Sequence, residues 1–309
     1  MPRPILCIGG ATVDLTYLCT AAPTQGTSNP VTSRRSFGGV ARNVAESLAR
    51  LGASVRLVSA IGEDAAGRSL SAALAASGAD ARGLLTVPAL PTAQYTAAFW
   101  GGELFAGFAD MNIFDCLTPA AIRPHLQILE PNSIIFADCN LPPESLAMLC
   151  AHAQSVSVAL ALDAVSLSKS GKLPVPLTGV HVLFLNAAQA RHMADAEVLP
   201  VAIERLHARG AGAIVLTEGR QGVCVSQSSG TARLPAPMVP VTNVSGAGDA
   251  IIAGTLLGLS EDRDLTDAVK YGLAAAALAL QTIETVPPTL TRERLDTMLA
   301  ANQGIPNAY

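Results

Sequence analysis

The chain has 309 residues, of which 50% are hydrophobic and 14% charged, and its formal net charge is −4. This length and composition predict a globular protein with a sizeable buried core. The 20 basic and 24 acidic residues form no basic block, which argues against a nucleic-acid polymer as partner. The longest uninterrupted apolar run, 273–280, is too short to span a bilayer, so we expect no membrane association.

Cysteine usage and the first residues bear on the compartment. The six cysteines are scattered and form no C-x-x-C pair. Positions 1–20 lack the charged start and long apolar region of a signal peptide. We therefore expect a cytoplasmic protein with reduced, buried thiols. The five histidines show no ligand spacing, and no structural zinc is predicted.

Apolar strand patterns alternate with helix patterns along most of the chain. Strands are predicted at 5–8, 54–61, 133–137, 158–163, 181–185 and 213–217, and helices at 40–50, 65–77, 119–129, 144–154, 198–209, 249–259, 265–281 and 291–302. Such alternation indicates an α/β fold with a mostly parallel sheet covered by helices.

Two segments break this alternation. Residues 15–37 are polar and rich in turn formers, and no regular element is predicted there. Residues 92–109 predict a hairpin with strands at 94–100 and 103–108, turning at Gly101-Gly102. These strands are expected to form a small second layer.

The run Val244-Ser-Gly-Ala-Gly-Asp-Ala250, followed by an apolar stretch, is the most informative motif. Its small residues let the backbone approach an anion closely. The free N–H groups at the start of the following helix would then point towards that anion. Asp249 could then take a proton from a hydroxyl that attacks a phosphoryl group. The alternative is a tight turn in which Asp249 merely caps the helix.

A second glycine-containing segment, Gly62–Ser69, imitates a phosphate-binding P-loop but has Arg68 where lysine is required. We interpret it as a strand exit in which Asp64 caps the next helix. No Gly-x-Gly-x-x-Gly fingerprint follows a strand either, which argues against a dinucleotide site.

The chain resembles the PfkB (ribokinase-like) family of sugar and nucleoside kinases. The resemblance rests on Gly246-Ala-Gly-Asp249, on Phe37-Gly-Gly-Val-Ala-Arg-Asn43 and on Ile61-Gly-Glu-Asp-Ala-Ala-Gly67, which occur in the family's order. It implies one ribokinase-like three-layer domain over 1–309, with lid segments at about 11–37 and 90–110. It also implies ATP and Mg²⁺ as cofactors, a small-molecule nucleoside or sugar as substrate, and a homodimer through the lid.

The resemblance assigns roles to individual residues. Asp249 is expected to be the catalytic base, and the backbone of Gly246, Ala247 and Gly248 is expected to stabilise the transferring charge. Residues expected to bind the sugar are Asp14, Gly38, Gly39 and Asn43. Residues expected to bind the nucleotide are Asn186, Thr217, Gly219, Gly222 and Asn243.

Other polar residues follow strands, at the edge of the sheet where ligands bind. Asn140 is a candidate substrate contact, whereas Asp138 fits a helix-entry turn equally well. Lys169 is a second candidate, which would either neutralise phosphate charge or lie in solvent. Asn112, with its neighbour Asp110, is a candidate for the base edge, or is simply an exposed lid residue.

Two positions depart from the family. The family usually has Asn-x-x-Glu where this chain has Asn186-Ala-Ala-Gln189, and that glutamate acts through water on Mg²⁺ and phosphate. Ribokinases tend to have Asp where Asn243 stands, near a loop that binds a monovalent cation. Both departures leave the handling of Mg²⁺ and the requirement for K⁺ open.

Within the family, the segments 110–113, 137–140, 163–169 and 243–249 resemble pseudouridine kinases more than ribokinases. The expected reaction is therefore phosphorylation of the 5′-hydroxyl of pseudouridine. The alternatives are a kinase of another nucleoside or of a sugar such as ribose or a ketose, and a catalytically weak ligand-binding protein on the same fold, which Gln189 favours.

Overall fold

The computed structural model describes residues 2–156 and 158–303, and its elements alternate as the sequence predicts. The strands are β1 (Ile5–Ile8), β2 (Thr12–Cys19), β3 (Val31–Gly38), β4 (Val55–Gly62), β5 (Asp80–Val87), β6 (Gln94–Trp100), β7 (Glu103–Asp110), β8 (Ile134–Asp138), β9 (Ala159–Asp163), β10 (Val182–Asn186), β11 (Ala213–Thr217), β12 (Val223–Gln227) and β13 (Gly230–Leu234). The helices are α1 (Val40–Arg50), α2 (Ala65–Ala76), α3 (Pro119–Gln127), α4 (Pro143–Val156), α5 (Leu167–Ser170), α6 (Ala187–Ala194), α7 (Leu199–Ala208), α8 (Ala247–Ser260), α9 (Leu265–Leu280) and α10 (Arg292–Gln303).

The larger of two sheets has nine strands in the order β13-β12-β11-β10-β9-β8-β1-β4-β5. The seven strands from β11 to β5 run parallel, and β12 and β13 add an antiparallel hairpin at one edge. Apart from the edge strand β5, the parallel strands are buried on both faces, which explains their continuous runs of Ile, Leu, Val and Ala.

Two apolar cores flank this sheet. One contains residues of α1, α2, α8, α9 and α10, and the other contains residues of α3, α4, α6 and α7. The predicted three-layer α/β fold is thus confirmed. The sequence patterns left β5, β13, α5 and α6 unassigned, and these elements are short, half-exposed or both.

The smaller sheet has four strands in the order β3-β2-β6-β7. Its β6–β7 hairpin turns at Gly101-Gly102, as predicted. Residues 15–37, to which the sequence patterns assigned no element, lie mostly in β2 and β3, which pair over eight residues each and belong to the expected lid. Their polar sequences show no buried face, since most of their side chains are half-buried or exposed. We call this four-stranded sheet the lid.

The segment that imitates a P-loop has the structural role predicted for it. Asp64 caps α2 by accepting a hydrogen bond from the Gly67 amide at 2.7 Å, and it also accepts from the amide of Thr92 at 2.8 Å. A side chain on Gly67 would meet the carbonyl oxygen of Gly62 at 2.4 Å. This turn is closed by its own backbone and leaves no room for a phosphate.

Helix α8 is held firmly against α9 by small residues. A side chain on Gly254 would come within 2.4 Å of the Tyr271 carbonyl oxygen, and one on Gly272 within 2.5 Å of the Ile251 carbonyl oxygen. The two backbones can therefore touch only because glycine occupies these positions. This contact fixes the helix whose first turn carries Asp249.

Candidate active site

Polar residues gather where the parallel strands end. Asp138 and Asp163 are opposite each other at the ends of β8 and β9, and Asn186 and Thr217 are opposite each other at the ends of β10 and β11. The carboxyl edge of a parallel sheet is the usual place for a ligand. The turn before α8 and the first turn of α1 reach the same edge, and their contacts define the candidate site.

The turn before α8 has the backbone geometry of an anion site. Gly246 occupies the N-cap position in the left-handed region (φ 79°), and a side chain there would lie 2.1 Å from the Thr285 carbonyl oxygen. A side chain on Gly248 would meet no atom within 4 Å among the described residues, so this backbone is open to a ligand. Asn243 stabilises the approach to the turn by accepting from the Ser245 amide at 3.0 Å.

Asp249 lies in the first turn of α8, three residues after the N-cap. The alternative in which it caps the helix is therefore wrong, because Gly246 holds that position. Its Oδ2 accepts a hydrogen bond from Asn43 Nδ2 at 2.7 Å, which joins α1 to α8. Burial raises the pKa of Asp249 to about 7, and the charges of Asp138 and Asp14 add to the rise, whereas Asn43 and Arg42 oppose it.

A second carboxylate with a raised pKa lies nearby. Burial, and then the charge of Asp249, raise the pKa of Asp163 to about 8. Its Oδ1 accepts from the amide of Val165 at 2.8 Å. Two neighbouring carboxylates with raised pKa values are typical of sites that exchange protons near neutral pH.

Asp14 extends from the lid strand β2 towards the same place. It accepts a hydrogen bond from Thr12 Oγ1 at 2.7 Å, and burial raises its pKa against the opposing effects of Thr12 and Arg42. A side chain on Gly38 would lie 2.1 Å from Asp14 Oδ2, and one on Gly39 (φ 90°) would lie 2.4 Å from the Gly10 carbonyl oxygen. The Gly38-Gly39 pair thus brings the lid, β1 and α1 together.

Asp138 is fully buried, and its contacts are with the backbone. Oδ2 accepts from the amides of Gly10 at 3.0 Å and Ala41 at 2.8 Å, and Oδ1 accepts from the amide of Asn140 at 2.9 Å. Gly39, the N-cap of α1, has no side chain to cap the helix, so Asp138 does so from a distant strand. Of the two roles that the sequence left open, the structure favours the structural one.

Arg42 is a site residue that the sequence analysis missed. This buried guanidinium donates to the Phe37 carbonyl oxygen at 3.0 Å and to Asn43 Oδ1 at 2.9 Å, and it forms an ion pair with Glu46. Burial lowers its pKa to about 10. It fixes the orientation of the Asn43 amide, whose Nδ2 then points to Asp249. The only sequence signal for this role is the Arg-x-x-x-Glu spacing within one helix.

The candidate substrate residues beyond β8 and β9 contact one another. Lys169 Nζ donates to Asn140 Oδ1 and lies 3.1 Å from Met111 Sδ, and burial lowers the pKa of Lys169. Lys169 is half-buried and held by Asn140, so the alternative in which it lies in open solvent is not what the structure shows. Asn112 and Asp110 are exposed at the end of the lid.

The candidate nucleotide residues occupy the other half of the edge. Asn186 and Gln189 form a capping box, in which Gln189 Oε1 accepts from the Asn186 amide at 2.7 Å and Asn186 Oδ1 accepts from the Gln189 amide at 2.9 Å. Gly219 opens the turn after β11 (φ 59°). A side chain on Gly222 would lie 2.0 Å from the Leu234 carbonyl oxygen, so this glycine is required by the β12–β13 hairpin.

The donor set of the site bears on magnesium. The described residues include no group of three or more His, Cys, Asp or Glu side chains arranged to hold a metal. The capping box already engages the oxygen of Gln189. Mg²⁺ is commonly held by one or two carboxylates together with substrate phosphates. Asp163 is the carboxylate at this edge that fits a magnesium ion arriving with a nucleotide, rather than one that the protein holds alone.

Comparisons with known proteins agree with this geometry. The chain is 31% identical over 295 residues to a pseudouridine kinase of Escherichia coli, covering 93% of each chain. It superposes on a carbohydrate kinase from Agrobacterium tumefaciens with a TM-score of 0.83 at 29% identity, covering 96% of this chain and 97% of the other. An Arabidopsis thaliana ribokinase, complexed with ribose and ATP, shares the fold with a TM-score of 0.83 at 19% identity, over 97% and 99% of the two chains.

Among the described residues, no helix is both long and apolar enough to cross a membrane. The model of the pfkB family of carbohydrate kinases matches residues 3–292, nearly the whole chain. With the open turn before α8, the carboxylates at the sheet edge and the small lid sheet, this match shows that the chain belongs to the pfkB family and is a phosphotransferase acting on hydroxyl groups.

Proposed function

We propose that the chain, acting as one kinase domain over 1–309, transfers the γ-phosphoryl group of ATP to the 5′-hydroxyl of pseudouridine. The observation that carries the kinase chemistry is the pair of Asn43 and Asp249, joined at 2.7 Å beside the open backbone of Gly248. The choice of pseudouridine is supported by the 31% identity to the Escherichia coli enzyme.

Asp249 acts as the general base in this proposal. A pKa of about 7 leaves a large ionised fraction at neutral pH, yet makes the carboxylate basic enough to accept the hydroxyl proton. The amides of Gly248 and Asp249 at the N-terminus of α8 stabilise the negative charge on the transferring group, whereas the Ala247 amide donates to the Val244 carbonyl oxygen at 3.4 Å. Mg²⁺ bound to the nucleotide supplies further positive charge at the phosphates.

The ribose is held between the lid and α1. Asp14 accepts hydrogen bonds from two hydroxyls, the backbone at Gly38 and Gly39 allows close approach, and Asn43 presents its amide. The proposal is supported by their convergence, since Asn43 contacts Asp249 directly and the charge of Asp14 influences the pKa of Asp249.

The nucleotide lies along the ends of β10 and β11. Asn186 and Thr217 are opposite each other there, and the turns at Gly219 and Gly222 follow directly. Asn243 is expected to support the phosphate end, because it holds the turn before α8. The Asn140–Lys169 pair and the exposed Asn112 are proposed to contact the base.

We also propose a homodimer through the lid. Several large apolar side chains of the β6–β7 hairpin are exposed, with Phe108 at 67%, Leu104 at 54% and Phe105 at 52%. An apolar patch of this kind is typical of an interface. Size-exclusion chromatography with light scattering should give a dimer for the wild type and a monomer for Phe108→Glu; a monomeric wild type at micromolar concentration contradicts the proposal.

The function is tested by ATP consumption across pseudouridine, uridine, cytidine, adenosine and ribose. Pseudouridine has a ring N–H where uridine has C–H, and a site that bonds this donor rejects uridine. We expect kcat/KM to favour pseudouridine over uridine by about tenfold or more. Equal use of the two, or faster use of ribose, would remove the pseudouridine assignment and leave the kinase assignment intact.

Two alternatives are decided by the same assay. Turnover of another nucleoside or of a sugar would identify a different kinase of the family. Turnover of none would favour a catalytically weak binding protein, for which the neutral Gln189 is the supporting feature and the intact Asp249 the opposing one.

A further inference from the structure

One side chain of the lid reaches the nucleotide half of the molecule. Arg34 Nη2 lies 2.6 Å from Glu284 Oε2, and Arg34 Nη1 donates to the Ile283 carbonyl oxygen at 3.1 Å. Arg34 belongs to β3, whereas Ile283 and Glu284 belong to the segment 281–286 that follows α9. We call this segment the bridging loop. Its two contacts with Arg34 tie the lid to the body of the kinase.

Arg34 lies on the face of the lid that carries Asp14. The register of β2 and β3 places Asp14 opposite Ser36 and Thr16 opposite Arg34. Side chains opposite each other in an antiparallel pair, and those two residues apart, share a face. The proposed sugar contact and the Arg34 guanidinium therefore move together with the lid.

The bridging loop in turn supports the turn before α8. The Ile283 carbonyl oxygen that accepts from Arg34 also accepts from Asn243 Nδ2 at 3.1 Å. The Thr285 carbonyl oxygen lies so close to Gly246 that any side chain there would come within 2.1 Å of it. The Ile283 carbonyl group thus joins the lid to the start of the turn before α8, which we call the anion turn. Thr285, further along the bridging loop, packs directly against Gly246 of that turn.

We propose that Arg34 is a positioning residue that couples the lid to the anion turn through Ile283 and Glu284. A lid closed over the sugar places the guanidinium on the bridging loop, and the loop then holds Asn243 and Gly246 in the conformation that receives phosphate. Nucleoside and ATP are consequently bound cooperatively, and thermodynamic linkage makes the effect reciprocal. The coupling part of this inference rests on the proposed function.

Arg35 provides a matched control, since it is the adjacent arginine on the opposite face of β3. It is exposed, and it forms no ion pair with any other described residue. Arg34→Gln and Arg35→Gln therefore remove the same charge from the same strand, but only the first breaks the contact with the bridging loop.

The first test is amide hydrogen exchange in the full-length protein without any ligand. We expect Arg34→Gln to increase exchange both in β3 and in the bridging loop, while Arg35→Gln changes neither and both variants keep the wild-type melting temperature. Unchanged exchange in the bridging loop of Arg34→Gln overturns the proposal, whatever the substrate is. Because this comparison uses the free protein, a failure of the proposed function would leave it unaffected.

The second test measures the apparent KM for ATP at low and at saturating nucleoside, using the compound that the substrate panel identifies. The ratio of the KM at low nucleoside to the KM at saturating nucleoside should fall about threefold to fivefold in Arg34→Gln, which is the effect expected from losing a partly exposed ion pair. In Arg35→Gln this ratio should stay at the wild-type value. The charge exchange Arg34→Glu with Glu284→Arg should restore most of the ratio. Equal ratios in the two glutamine variants contradict the coupling.

Discussion

Replacing Asn43 with alanine should move the pH dependence of the reaction to higher pH. The carboxylate of Asp249 must be ionised to accept a proton, so kcat/KM should rise with pH through the pKa of the free enzyme, about 7. The Asn43 amide donates to the ionised carboxylate at 2.7 Å and thereby lowers that pKa. Removing it raises the pKa and shifts the rising limb towards alkaline pH.

The size of the shift follows from the strength of the lost bond. A hydrogen bond to a charged group contributes about 1.5–3 kcal/mol, and one pKa unit corresponds to about 1.4 kcal/mol, which gives a shift of about one to two units. The lower end is expected, because Arg42 remains beside the carboxylate and continues to favour its ionised form.

The assay measures kcat/KM for the nucleoside between pH 5 and 10 at saturating ATP. The quantity compared is the pH at the midpoint of the rising limb, which is its position, rather than the maximum value of kcat/KM, which is its height. Loss of a ribose contact lowers the height alone. Asp14→Asn serves as an opposite control, since the charge of Asp14 raises the pKa of Asp249 and its removal should move the limb towards acid pH. A limb that stays in place in Asn43→Ala, or moves to acid pH, would refute the role given to this pair.

Substitutions at four further positions test separate parts of the site. Asp14→Ala should raise KM for the nucleoside about tenfold or more, through the loss of charge-assisted bonds, and leave KM for ATP nearly unchanged; equal effects on both would remove Asp14 from the sugar pocket. Gly246→Ala should lower the melting temperature, because its φ is 79° and the Thr285 carbonyl oxygen blocks the new methyl group. Gly248→Ala should melt like the wild type and lose activity, since its methyl group fills only the proposed phosphate site; full activity would place the phosphate elsewhere. Asp138→Ala leaves three buried amides without their acceptor and should cost about 3 kcal/mol or more of unfolding free energy in urea, with Asp138→Asn retaining part of it; a loss below about 1 kcal/mol would contradict its role as the distant cap of α1.

The sequence predicted the larger sheet well because its strands and helices carry strong signals. Parallel strands buried on both faces give continuous apolar runs, and α1 begins and ends where its pattern predicts. The lid strands β2 and β3 gave no such signal. They are stabilised by main-chain pairing with a neighbouring strand rather than by burial of apolar side chains. Their pairing with each other, and that of β2 with β6, is made by the main chain and leaves no local periodicity to detect.

The candidate site was predictable only where a residue's role depends on its own segment. The turn at Gly246 to Asp249 combines glycines, a helix start and a carboxylate within one short run. The contacts of Asp138 join three segments that are far apart in the chain, and the environment of Lys169 depends on Asn140 and Met111. Arg42 and Arg34 were missed for the same reason, since their partners are set by packing.

The most direct test of the account compares Asp249→Asn with the wild type in two measurements on the same preparation. One is kcat with the preferred nucleoside and ATP, and the other is the Kd of that nucleoside by calorimetry. Asparagine keeps the size and the hydrogen-bonding capacity of the side chain but cannot take the proton. We expect kcat to fall by about 10²–10⁴ while Kd stays within a few fold. A variant that retains kcat within a few fold of the wild type would contradict the assignment of Asp249 as the catalytic base.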